Sequence, residues 1–181
     1  MLIPVVLLIV ATRGGDGDDT APRAGCDTSA TTAVTAVGLQ PARPVKQGDR
    51  APTFRLRTLD CTTVDTARYA GKPYVLTFWG SWCVPCRKEM PLLEAAYRER
   101  GIDVVGVTFQ DPASESRKFA ERYDITFPLA PDAGIEVARS FGVLNGIPQT
   151  FFVGGDGIVT ERVAGIETQA ALDEPLSRLL D

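Results

Sequence analysis

Cys83 and Cys86 stand three residues apart in Trp82-Cys83-Val84-Pro85-Cys86-Arg87, directly after an apolar run and at the head of a stretch with helical spacing. Two thiols so placed can exchange electrons with a disulfide, and they are chemically unequal. Cys83, expected at the first exposed edge of the helix, meets unpaired N–H groups and the positive end of the macrodipole. Both favour thiolate over thiol, so Cys83 is the candidate nucleophile. Cys86 lies on the same face but further into the fold and is the candidate resolving thiol. Pro85 falls in the first turn, where its missing N–H costs no helical bond and its fixed φ stiffens the turn between the sulfurs. The competing reading is half of a zinc site, which needs two further ligands. The chain has no histidine, and Cys26 and Cys61 form no second close pair, so no metal is expected.

The elements that must position this pair follow from pattern. Tyr74–Trp79 is apolar at successive positions and predicts a central strand buried on both faces. Cys86, Met90, Leu93 and Tyr97 then share one inward helical stripe, with a bend expected at Pro91. Upstream, Phe54, Leu56 and Thr58 alternate with Arg55 and Arg57; with the turn residues Asp60 to Thr63 before Val64, they predict a short hairpin. Downstream, Ile102–Phe109 reads as a strand. Asp111-Pro112 reads as N-cap and first residue of a helix to about Tyr123. Phe127–Ala130 predicts a short strand, and Asp132–Phe141 a helix ended by Gly142. Phe151–Val153 and Ile158–Ala164 flank the turn Gly154-Gly155-Asp156-Gly157 as a hairpin. Thr168 caps a last helix with Leu172, Leu176 and Leu179 inward and a bend at Pro175. This order implies an α/β sandwich with a mixed sheet, and the dithiol falls at the carboxyl end of the central strand, where open α/β sheets hold their sites.

The 181 residues, 44% hydrophobic and 23% charged, fit one globular domain. A net charge of −4 without a basic cluster argues against nucleic acid. Residues 1–12 are apolar but too short to span a bilayer, and Pro4 interrupts them. They read as the remnant of a signal or anchor. With the cysteine usage, this predicts an extracytoplasmic protein, secreted or membrane-tethered; the alternative is an apolar arm on a cytosolic one. Residues 13–47, rich in Gly, Ala, Thr, Pro and Asp, read as a flexible linker, and residues 48–181 as the folded domain. Ala24-Gly25-Cys26 is a weaker match to a bacterial lipid-attachment site, since Arg23 stands where an aliphatic residue belongs.

The strand, the dithiol turn, Pro91 five residues on, and Ile147-Pro148 before a strand make the chain resemble the thioredoxin superfamily. More narrowly, it resembles the TlpA/ResA/DsbE (CcmG) group of extracytoplasmic thiol-disulfide oxidoreductases. The resemblance rests on Ala51-Pro52-x-Phe54, Gly71-Lys72-Pro73, Phe78-Trp79-x-x-Trp82 through Pro91, and Gly146-Ile147-Pro148-x-Thr150-Phe151. It covers roughly residues 47–181. It implies a thioredoxin-like three-layer sandwich with an N-terminal β-hairpin and an inserted strand and helix between Asp111 and Gly142.

For the site, the resemblance implies that Pro148 is cis and faces the disulfide. The Ile147 backbone would then offer an edge to an extended substrate, with Trp82 and Pro85 beside it. Glu89 lies three residues beyond Cys86, and helical side chains lean toward the N-terminus, so its carboxylate is placed to shuttle the Cys86 proton. Related proteins use an acid here, whereas thioredoxin uses a buried Asp where this chain has Thr77; the alternative is a solvated glutamate in an early turn. Cys61 stands where the group usually has glycine. In an exported protein it would pair with Cys26, closing a loop that stabilises by roughly 4 kcal/mol through lost chain entropy. The alternative is two free thiols, and mass mapping of the non-reduced protein separates the two.

The implied activity is disulfide exchange with exported proteins, foremost reduction of the haem-binding cysteines of apocytochrome c. A membrane thiol donor would restore the dithiol, and no cofactor is needed. The same chemistry run backwards would make an oxidant for folding exported proteins. A peroxiredoxin-type peroxidase shares the Ala-Pro-x-Phe opening and the fold, and a non-catalytic binding module is the remaining alternative.

Overall fold

The computed structural model describes residues 43–181. The apolar stretch 1–12, most of the expected linker and Cys26 lie outside the described residues. Two short strands come first, β1 (Arg55–Arg57) and β2 (Thr63–Asp65), then β3 (Tyr74–Trp79), α1 (Cys86–Arg100), β4 (Asp103–Phe109) and α2 (Ala113–Tyr123). β5 (Leu129–Asp132), α3 (Glu136–Ser140), β6 (Gln149–Val153), β7 (Val159–Val163) and α4 (Gln169–Leu180) complete the chain.

A strand that is apolar on both sides has to be walled in by other elements. All six residues of β3 are buried, and β3 is the middle of a five-stranded sheet of order β5-β4-β3-β6-β7. β3, β4 and β5 run parallel, while β6 is antiparallel to β3 and β7 to β6. This is the mixed sheet expected from one hairpin and helical crossovers. β1 and β2 form a separate antiparallel ribbon, with Leu56 opposite Val64.

The period of two along the strands divides the core into two faces. Leu76, Phe78, Val107 and Phe151 pack against Phe54 and Leu56 of the ribbon and Val137 and Phe141 of the α3 segment. Val75, Trp79, Val104 and Phe152 face the opposite way, onto Met90 and Leu93 of α1, Phe119 of α2, and Leu172 and Leu176 of α4. Thr77 lies between Val75 and Trp79 in this alternation, so its hydroxyl faces α1.

α1 continues through Pro91 and ends at Gly101, whose φ of 65° is left-handed. Within it, buried Glu94 accepts the N–H of Thr126 at 2.8 Å, tying the helix to the segment before β5. Thr168 caps α4 as expected, its hydroxyl accepting the N–H of Ala171 at 3.2 Å.

Several boundaries differ from expectation. Pro112, not Asp111, takes the cap position of α2; the Asp111 carboxylate is shared between Ser81 and the Ser116 hydroxyl of α2 and accepts no backbone N–H of that helix. α3 is confined to five residues. Asp132 belongs to β5, and its carboxylate accepts the N–H groups of Glu136 at 3.0 Å and Ala138 at 2.8 Å. Residues 43–47 were expected in the linker, yet Val45 is buried. Its N–H donates to Phe141 O at 3.2 Å and its carbonyl accepts Arg162 Nη1 at 2.9 Å. The adjoining Gly142 has φ 69°, and a Cβ there would lie 2.4 Å from Pro44 Cα.

Gly106 of β4 is closely packed on the α1 face of the sheet. A Cβ there would lie 2.6 Å from Leu129 Cδ2 and 2.9 Å from Trp79 Nε1, a buried nitrogen with no hydrogen-bond partner among the described residues. Gly106→Ala is expected to destabilise the domain by about 1–3 kcal/mol through overpacking. Urea unfolding followed by tryptophan fluorescence measures this, and an unchanged midpoint would contradict the close packing.

Candidate active site

β3 leads into the turn that carries the two thiols. The N–H of Cys83 donates to Gly80 O at 3.1 Å, and the N–H groups of Arg87 and Lys88 donate to the carbonyls of Val84 and Pro85. α1 therefore starts at Cys86, with Pro85 in the cap position. Cys83 and Cys86 are bonded to each other with their Cα atoms 5.3 Å apart, and the N–H of Cys86 donates to Cys83 Sγ at 3.2 Å. The Cys83 sulfur thus sits at the amino end of α1, where the Cys86 N–H it accepts and the helix dipole would stabilise a thiolate on reduction. Both residues are buried, Cys83 at 3% exposure, which corrects the expectation of an exposed sulfur. The side chains that stand out are the neighbours Trp82, 52% exposed, and Val84, 65% exposed.

The turn is clamped from the side. The Asp111 carboxylate accepts the N–H of Ser81 at 3.0 Å, the Ser81 hydroxyl at 2.6 Å and the Ser116 hydroxyl at 2.6 Å. Asp111 thereby links the dithiol turn to the first turns of α2. The Trp82 indole N–H donates to Gln110 O at 3.3 Å. Neither contact was visible in the sequence, because both join residues about thirty positions apart.

Three residues beyond Cys86 in α1 is Glu89, fully buried. Its Oε1 accepts the hydroxyls of Thr77, at 3.1 Å, and Thr150, and its Oε2 accepts the N–H of Ile166 at 2.7 Å. Thr77 and Thr150 are direct partners across the β3–β6 pair with their hydroxyl oxygens 2.9 Å apart; each hydroxyl has one proton, so all three contacts are hydrogen bonds together only when the protonated carboxyl donates one of them. Burial pushes the carboxyl above its ordinary 4.5, and the three hydrogen bonds only partly oppose this. The reading as a solvated glutamate is excluded. The two threonines were missed in sequence. The available signal was a hydroxyl in a strand buried on both faces, where it must find a partner.

Ile147-Pro148 is a cis peptide bond just before β6. Because Gln149 pairs with Phe78, near the end of β3, this segment lies at the same end of the sheet as the disulfide. Ile147 packs against the cluster that contains Cys83 and Cys86, and a Cβ on Gly80 would lie 3.2 Å from its Cδ1. Cys61 sits at φ 71° in the β1–β2 turn, a left-handed conformation that suits the usual glycine. It is disulfide-bonded; its expected partner Cys26 lies outside the described residues.

The chain is similar to known proteins in sequence and in fold. The sequence model of the AhpC/TSA family matches residues 47–162. The thiol-disulfide oxidoreductase ResA of Bacillus thuringiensis subsp. konkukian is 32% identical over 135 residues, 73% of this chain and 78% of the relative. Among solved structures, a thiol:disulfide interchange protein DsbE from Chlorobium tepidum superposes with a TM-score of 0.68 at 29% identity, covering 76% of this chain and 99% of that one. A secreted Mycobacterium tuberculosis disulfide oxidoreductase homologous to E. coli DsbE gives a TM-score of 0.63 at 28% identity, covering 70% and 96%. The fold is therefore thioredoxin-like.

Folded Glu89 keeps its proton to higher pH than the unfolded chain does, so its contribution to stability is complete below about 4.5 and is lost as pH rises through the raised folded value. Glu89→Gln keeps an oxygen for Ile166 and an amide for the threonines but cannot ionise. The stability of the native protein relative to this variant is expected to fall with pH above the ordinary carboxyl range and then level off. Urea titrations across pH 4–9 measure it, and a constant difference would refute the burial effect.

Proposed function

Because the chain belongs to the AhpC/TSA family and is a thiol-disulfide oxidoreductase of the ResA/DsbE type, we propose that Cys83 and Cys86 are its exchanging pair and Glu89 the acid that serves them. The supporting observation is the bonded pair at the carboxyl end of β3, with the Cys83 sulfur accepting the Cys86 N–H at the start of α1. In the reduced protein, Cys83 thiolate attacks one sulfur of a substrate disulfide. That S–S bond breaks, a mixed disulfide forms, and the first substrate sulfur leaves as thiolate. Cys86 gives its proton to Glu89 and attacks Cys83 Sγ, expelling the second substrate thiolate and leaving the Cys83–Cys86 disulfide. Two electrons have passed to the substrate. A buried carboxyl with a raised pKa is suited to that proton, since a proton acceptor works best when its own affinity approaches that of the donor at working pH.

Trp82, Pro85, Ile147 and Pro148 form the surface against which the substrate lies. Its strongest support is the exposure of Trp82 beside a buried disulfide, together with Ile147 packed over the Gly80 turn. A Cys26–Cys61 disulfide would fix the preceding chain to the β1–β2 turn.

The protein acts outside the cytoplasm on exported proteins, in the first place as a reductase of apocytochrome c cysteines, with a membrane thiol donor as its source of electrons. Support comes from the motif resemblance, the secreted mycobacterial relative and the apolar residues 1–12. Among the described residues no helix is long and apolar enough to cross a membrane.

Direction is set by reduction potential. A glutathione titration of the Cys83–Cys86 couple is expected to give a value at or below that of thioredoxin, about −270 mV; one near −120 mV would make the protein an oxidant. In the same preparation, Cys86→Ser is expected to accumulate a mixed disulfide on Cys83, and Glu89→Gln to slow resolution and remove its carboxyl-dependent pH step. Unchanged resolution in Glu89→Gln would dismiss the proton role.

A further inference from the structure

Beside the dithiol turn, between α1 and α2, lies a cavity of about 180 Å³ that the exchange chemistry does not use. Ser81 lines one end. The Phe119 and Tyr123 rings also line it, and their centroids are 4.4 Å apart. Phe119 is itself packed on Trp79, with centroids 4.9 Å apart. Around this aromatic part stand Arg87 at the start of α1 and Lys118 and Arg122 on α2, against one lining acid, Glu115, and the Asp111 carboxylate that holds Ser81. Glu115 is already paired with Lys118 at 2.7 Å. Arg87 and Arg122 have no ion-pair partner among the described residues.

This concentration of cations runs against the net charge of −4 of the whole chain. The arginines come from two helices and border one opening. A guanidinium presents paired N–H donors that match a carboxylate, and an aromatic wall lowers the local dielectric, strengthening attraction at the mouth. A space of about 180 Å³ has room for a carboxylate side chain.

We propose that this cavity is an anion subsite that takes a side-chain carboxylate of the protein undergoing exchange, Arg87 and Arg122 binding it while the cysteine of that partner reaches Cys83. The subsite rests on the exchange reading of Cys83 and Cys86. It adds selection by charge to a site whose other exposed contacts, Trp82, Val84 and Leu144, are apolar. An acidic residue near the reactive cysteine would speed docking and fix its register.

The test uses the reduced protein and three disulfide-closed peptides of one sequence, carrying aspartate, serine or lysine on both sides of the reacting cysteine. The aspartate peptide is expected to be reduced roughly fivefold faster than the serine peptide at low salt, in line with a surface ion pair. The ratio should approach one as salt screens the charges. The net charge of the chain alone predicts the opposite order. In Arg122→Glu, whose side chain is exposed, the aspartate-to-serine ratio is expected to fall below one. That ratio does not depend on how much of the variant is folded. Equal rates on all three peptides, or a preference that survives Arg122→Glu, would overturn the subsite and leave disulfide exchange standing. Failure to reduce any peptide would overturn the exchange reading and the subsite with it.

Discussion

A carboxylate that no water reaches has to be satisfied by the protein around it, and Glu89 imposes that condition on the centre of this fold. Its two oxygens are held by hydroxyls from adjacent antiparallel strands and by one backbone N–H from the segment leading to α4. α1 is thereby fixed against β3, β6 and the chain beyond β7 at one point, three residues from Cys86. Leaving such a group unpartnered would cost several kcal/mol, so position is enforced as well as chemistry. The parallel β3–β4 pair and the antiparallel β3–β6 pair are both needed. The first places the helix on its face of the sheet, and the second brings Thr150 opposite Thr77.

The surroundings of the disulfide divide into an inner and an outer part. Inward, Cys86, Glu89, Thr77 and Thr150 are fully buried, and the hydrogen bonds there join groups from different elements. Outward, Trp82 and Val84 project from the turn and Leu144 from the loop before Ile147. Asp111 belongs to the boundary between the two. It holds the backbone and the hydroxyl of Ser81, and so keeps the turn in place while its neighbours remain open to a partner. Exposed apolar side chains of this size around a buried disulfide suit contact with another protein.

Period and punctuation carried much of this in the sequence. Tyr74–Trp79 read as a doubly buried strand and is one, because nothing but a central position tolerates six apolar or neutral residues in succession. Thr168 read as a cap because its side chain acts on its own helix, a local event. The failures have the opposite character. Asp111 has every mark of an N-cap, yet Ser81, thirty positions earlier, binds its carboxylate. Asp132 looked like the first residue of a helix and is the last of a strand that caps the helix from outside. Thr77 could be assigned a face but not a partner, since periodicity says which way a side chain points and nothing about what it meets. That Cys83 and Cys86 form a pair was legible in their spacing. Their burial was not, for it depends on how Ile147 and the turn pack over them.

The partners of Glu89 lie 12, 61 and 77 residues away along the chain. During synthesis both cysteines and the acid are therefore made long before Thr150 and Ile166. Until those arrive, the carboxyl is an ordinary hydrated one and the pair behaves as two simple thiols. On the proposed reading the tuned couple is a property of the finished domain, so an emerging chain has no means of exchanging disulfides selectively with its neighbours before its own last strands and helix have joined.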